Sequence, residues 1–178
     1  MMQPVGSAID LEPGVSRVVA EIVMGRYRVI GELRFPGPPR RFVDAMNTLE
    51  TSFAVAFDAR IEEAYGEGEG HRFHVVQLQP EAILFAMKRS GEDPPPSGLD
   101  AVHKVPVRCK LILPGFEITG KMWQVPDADP RQVAVTGKRR FAPVTEAVIV
   151  SSYGTRPWSE PLVAVNLLRT LVYAPHPA

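Results

Sequence analysis

The sequence predicts a mainly β protein built from two tandem units, each a five-stranded small β-barrel, with one short helix or helical turn. Three observations carry that expectation. Eighteen of the 178 residues are proline, roughly twice average usage, and proline breaks helix interiors, so its spread from Pro36 to Pro161 leaves no room for long helices. Between the prolines lie short alternating or apolar runs rich in Val, Ile and Phe and bounded by Gly, Pro and Asp, the pattern of short strands. The third observation is self-similarity. Tyr27-Arg-Val-Ile-Gly31-Glu-Leu33 aligns with Phe116-Glu-Ile-Thr-Gly120-Lys-Met122 at an offset of 89. Phe53-Ala-Val-Ala-Phe-Asp58-Ala59 aligns with Phe141-Ala-Pro-Val-Thr-Glu146-Ala147, and Tyr65-Gly66 with Tyr153-Gly154, both at 88. Phe73–Leu78 aligns with Leu162–Leu167 at 89, and Ile83–Ala86 with Leu171–Ala174 at 88. Five blocks in one order define two similar units.

The elements follow from these runs. In the first unit strands are expected over 16–23, 26–35, 53–61, 72–78 and 82–87; in the second, over 103–113, 115–125, 141–150, 161–166 and 170–174. Gly31 and Gly120 interrupt strong strands, where glycine packs nothing, so each is expected to permit a bend or a close backbone approach. Between the second and third strands, Phe42, Val43, Met46 and Leu49 fall at helical spacing behind Pro39, predicting one or two helical turns. The equivalent span around Pro130 to Gly137 keeps only a weak helical pattern. Residues 1–14 read as a flexible N-terminal tail. The units are then 15–89 and 101–178, joined by a Pro-rich linker over 90–100 that contains Pro94, Pro95 and Pro96.

The Gly-x-Leu strand, the following loop with Asp44 and Asn47, the Phe-Ala-x-x-x-acidic-Ala strand and the closing apolar-Val-Asn-x-x-x-Leu-Val pair resemble a bacterial family of small uncharacterised β domains, here in tandem duplication. More distantly, Gly31-Glu-Leu33 followed by Asp44-Ala-Met46-Asn47 resembles the first motif of Sm-like proteins, which are small barrels related to the SH3-like class. That resemblance implies a small barrel and association edge to edge. The interval is longer than the Sm pattern by the Pro36 to Phe42 insertion. The Asp-x-x-Met-Asn counterpart is absent from the second unit, and Leu78-Gln79 and Leu167-Leu168 stand where an Arg-Gly pair would hold a base.

Charge and chemistry narrow the function classes. Twenty basic and twenty acidic side chains give zero formal net charge, which removes the long-range field that favours nucleic acid or an anionic membrane. Single-stranded RNA or DNA binding would rest on Arg40 and Arg41 ahead of Phe42, on Arg139 and Arg140 ahead of Phe141, and on Asp44 and Asn47. Tyr153, Arg156 and Trp158, read as one loop, are residue types enriched where proteins meet partners; the competing expectation is that the aromatics fold back over the barrel end. Glu62 to His71 reads as a solvated acidic loop rather than a metal site, so no metal and no cofactor is expected. No catalytic residue is expected either: there is no Gly-x-Ser-x-Gly elbow, phosphate loop or dinucleotide fingerprint, and Cys109 lies in an apolar strand as a structural thiol.

One cysteine cannot form an internal disulfide, no run approaches the ~18 apolar residues of a membrane helix, and the first residues lack a leader pattern, so a soluble cytoplasmic protein without membrane partners is expected. The functional expectation is a non-enzymatic protein-interaction or scaffold module, its partner another protein or a second copy meeting it through strand edges. Single-stranded nucleic-acid binding is the alternative, and a small-ligand pocket between the units the second.

Overall fold

A computed structural model describes residues 14–49, 53–63, 70–91, 94, 103–129 and 139–176. The tail apart from Gly14, most of the linker, the acidic residues 64–69 and the span 130–138 lie outside the described residues. The expected mainly β architecture is present. Among the described residues ten strands form: β1 Val15–Met24, β2 Tyr27–Pro36, β3 Ala54–Glu63, β4 His71–Leu78, β5 Phe85–Lys88, β6 Val105–Leu113, β7 Phe116–Gln124, β8 Phe141–Ser151, β9 Trp158–Asn166 and β10 Val172–His176. The one α-helix among the described residues, α1, is Phe42–Met46, where the helical spacing predicts it. No helix among the described residues is long and apolar enough to cross a membrane.

All ten strands join one antiparallel sheet in the order β10-β6-β7-β8-β9-β5-β1-β2-β3-β4. Each half therefore has the same internal order, a four-strand meander whose fifth strand returns to pair with the first. The halves meet where β5 pairs with β9 through Phe85↔Val165 and Ala86↔Ala164. Among the described residues no ladder joins β4 to β10, so the sheet is open and those two strands are its outer edges.

The ladders revise the residue-by-residue alignment of the halves. The turn ends Met24↔Tyr27 and Leu113↔Phe116 keep β1 and β2 at an offset of 89, and the bulges described below keep β3 at 88. Ala59 pairs with Phe73 while Ala147 pairs with Glu160, however, so Phe73 is the counterpart of Glu160 and β4 matches β9 at 87. Leu84 N–H donates to Val23 O, as Leu171 N–H donates to Ile112 O, which sets β5 against β10 at 87 as well. The sequence alignment of these last blocks is thus two residues and one residue out. A two-residue slip preserves strand alternation, so the side-chain pattern cannot detect it.

Gly31 and Gly120 mark equivalent bulges. Gly31 faces both Asp58 and Ala59 in the β2–β3 ladder, and Gly120 faces Glu146 and Ala147 in β7–β8. Asp58 and Glu146 adopt positive φ, 47° and 49°, the conformation of the inserted residue in one class of bulge. A Cβ on Gly31 would lie 3.1 Å from the Ala59 Cβ; one on Gly120 would lie 2.5 Å from Val144 Cγ1. The expected close backbone approach is therefore present at both glycines.

Two buried clusters lie on opposite faces of the sheet. In β9, Leu162 and Ala164 pack with the first half's core, formed around Val18, Ile22, Leu33, Phe35, Phe42 and Met46, whereas Val163 and Val165 join the second, formed around Leu111, Ile118, Val144 and Ile149. β5 is shared in the same way: Ala86 enters the first core, Phe85 and Met87 the second, and all three are fully buried. A run such as Ile83-Leu84-Phe85-Ala86-Met87, apolar without alternation, is what a strand covered on both faces requires.

Candidate functional site

The predicted site residues separate into two groups at opposite ends of β8, which at ~3.3 Å per residue is roughly 30 Å long. At its start, α1 docks against β8 and β9. Asn47, the residue that ends α1, donates from Nδ2 to Phe141 O at 2.9 Å and to Val43 O at 3.0 Å, while its Oδ1 accepts from Phe141 N–H at 2.8 Å. Asp44, on the same helix, holds Arg139 Nη1 at 3.0 Å. Residues some 95 positions apart are thus brought together, but to each other: the amide and carboxylate expected to meet a ligand bind the sister half. Arg140 is half-buried, its carbonyl accepts from Leu167 N–H at 2.8 Å, and Arg40 is exposed. Arg41 carries the carbonyl that accepts from Ala45 N–H in the first turn of α1.

At the other end of β8, Trp158 is the first residue of β9 rather than part of a loop. It is half-buried against the second core, its backbone opposite Ile149. Its strand position follows from the β8–β9 register, which starts three residues earlier than the apolar run suggests. Tyr153 remains in the turn and lies edge-on to Phe116 at 5.9 Å between ring centroids. Tyr153 thus touches Phe116 while staying 45% exposed, and Arg156 is exposed beside it.

Cys109 is fully buried, and desolvation pushes its thiol up to about 11, so it is inert rather than nucleophilic at neutral pH. An open groove of about 720 Å³ lies over β2, β3 and β4, lined by Ile30, Asp58, Arg60, Arg72, Phe73 and His74. His74 Nδ1 sits 3.2 Å from Asp58 Oδ1 there, with both side chains well exposed. The groove lies away from the seam between the halves, where Phe85, Ala86, Phe141 and Val163–Val165 fill the space.

A line of alternating charges crosses the seam. Glu160 on β9 takes a two-pronged contact from Arg89, at 2.7 and 2.9 Å; Arg89 also reaches Glu21 at 2.8 Å. Glu21 meets Arg28, Arg28 meets Glu62 at 2.6 Å, and Glu62 meets Arg60 at 2.9 Å. The three carboxylates are about nine-tenths buried, so the guanidinium groups offset their desolvation. The Glu160 hydrogen bond, with Glu21 beside it, raises the Arg89 pKa above its ordinary value against the cost of burial.

What the residue-type reasoning misses are the outer edges. On β4, Phe73 and Val75 are exposed; on and before β10, Leu168, Leu171 and Val172 are exposed. The apolar residues were visible in the sequence, but only the strand order makes them edge residues. Comparison of the chain with family models, with curated proteins and with solved structures returned no match.

Proposed function

We propose that the chain is a non-enzymatic interaction module: two fused small-barrel units, related by duplication, that present the outer strands β4 and β10 to protein partners. One observation carries the reading. Among the described residues the ten-stranded sheet ends on two strands, of eight and five residues, each paired on one side only and flanked by exposed apolar side chains. Unpaired edge N–H and C=O groups are templates for an added strand, and folded proteins that keep their edges free cover, shorten or charge them. Neutral net charge and the engagement of Asn47, Asp44 and Arg139 within the molecule weigh against nucleic acid as the partner.

The test is affinity capture with the intact chain and two surface variants, Val75→Lys on β4 and Val172→Lys on β10. Loss of the captured protein with either edge variant, and retention with Arg156→Ala, is expected. Capture indifferent to both edge substitutions would refute the reading, and salt-sensitive binding of poly-U at ~50 mM salt would replace it with nucleic-acid recognition.

A further inference from the structure

Resting on that reading, we propose that the partner strand belongs to a second copy of this chain, with β10 of one copy pairing antiparallel with β4 of the next. The molecule already contains the template. β5 holds in the first half the place that β10 holds in the second, and β4 the place of β9. Inside the chain β5 of one half is joined to β9 of the other. A β10–β4 contact between copies repeats that junction, and each copy extends the sheet by ten strands.

The counterparts fix the register. At an offset of 87, Phe85 and Ala86 correspond to Val172 and Tyr173, and Val165 and Ala164 to Leu78 and Gln77. The seam pairs Phe85↔Val165 and Ala86↔Ala164 therefore become Val172↔Leu78 and Tyr173↔Gln77 between copies. Asn166 N–H donates to Leu84 O at 2.9 Å in the seam, and its Nδ2 to Ile83 O at 2.8 Å. Gln79, the counterpart of Asn166, supplies the same two kinds of donor to Leu171 O and Thr170 O of the next copy. Pro175 falls after the two paired positions, so its missing N–H costs no rung.

Burial points the same way. Phe141, Leu84 and Phe85 are 0%, 1% and 0% exposed in the internal seam, whereas their counterparts Phe53, Leu171 and Val172 are 59%, 67% and 46% exposed. Apolar side chains thus stand exposed at these three counterpart positions, with nothing among the described residues over them. The Arg89–Glu160 pair has no equivalent, since Phe73 stands in the place of Glu160. The contact between copies accordingly lacks that ion pair and combines apolar side chains with the amides of Gln77 and Gln79. It is also heterologous, one β10 meeting one β4, so it propagates to a ring or filament and does not stop at a two-fold dimer.

Sedimentation velocity of the full chain over a concentration series tests this. Species larger than a dimer are expected, and they persist when NaCl is raised from ~0.1 to ~0.5 M, as a contact without that ion pair requires. Two double variants, Phe53→Lys with Val75→Lys and Leu171→Lys with Val172→Lys, alter exposed side chains only, and circular dichroism confirms their folding. Each alone is expected to be monomeric. Mixed one to one, they form a dimer and nothing larger, because the mixture holds one intact β10 and one intact β4. A wild-type chain that stays monomeric to about 1 mM, the concentration of a very weak contact, overturns the self-pairing. So does a dimer that survives in either variant alone. A monomer whose partner capture still depends on Val75 and Val172 leaves the interaction module standing with a foreign partner; a monomer with edge-indifferent capture ends both.

Discussion

Asn47 is the residue where sequence and structure differ most usefully. Its type and its spacing from Gly31-Glu-Leu33 suggest a ligand contact, yet its amide closes a two-way hydrogen bond with the Phe141 backbone. Asn47→Ala would leave the Phe141 N–H and carbonyl without that partner at the mouth of the seam, and a destabilisation of about 1–3 kcal/mol by urea titration is expected. Unchanged stability would contradict the structural role. Gly120→Ala places a Cβ against Val144 and the Thr145 carbonyl, and overpacking of this kind costs about 1–3 kcal/mol; Gly31, with its nearest neighbours at 3.1 Å, should tolerate the same change better. The glycines were legible because a strand interior has no other use for them. The partner of Asn47 was not, because a contact across some 95 residues follows from strand order and not from local pattern.

Burial also fixes an alkaline limit. Cys109 is raised from 9.0 to about 11, and Tyr173, on the strand paired with β6, from 10.0 to about 12, in both cases chiefly by desolvation. Both groups are essentially neutral in folded and unfolded chains well below pH 9, so neither affects stability there. Above it the unfolded chain ionises first, and the stability these groups contribute is lost as pH rises from 9 towards 12. Denaturant titrations should show a falling midpoint over that window, and Cys109 should react with a thiol reagent only after unfolding. Rapid labelling of the native protein would contradict the burial.

Among the elements, β5 has the greatest consequence. Its four residues, Phe85–Lys88, pair with β1 on one side, Phe85 and Ala86 also with β9 on the other, and the strand's two faces enter different cores. Phe85 lies edge-on to Phe116 of β7 at 5.0 Å. Phe85→Ala should cost about 3–5 kcal/mol, measured by urea or heat, and should loosen both halves together. The strand's existence was readable from its unbroken apolar run. Its start was not: Pro80–Ala82 forms a 3-10 turn, which shortens the strand expected from residue 82. Bulges were equally hidden, since Asp58 and Glu146 look like ordinary outward strand residues until their positive φ and the paired glycine are seen together.

At the scale of the molecule, the strands of the two units expected from the repeat lie in one sheet, an arrangement the repeat did not disclose. The charge line from Glu160 to Arg60 and the α1 contact with β8 bind the halves further. Both tryptophans, Trp123 and Trp158, lie in the second half, so fluorescence reports that half while circular dichroism reports all ten strands. The two denaturation curves should coincide, as for one cooperative unit; a two-step curve would mean that the halves fold apart. The most direct measurement is residue-resolved hydrogen exchange. Strong protection is expected through β5 and β9, including the amides of Phe85, Ala86 and Asn166, and weak protection on the outward side of β4 and β10 in dilute protein. Rapid exchange along β5, with β4 and β10 equally protected at every dilution, would contradict the one-sheet arrangement.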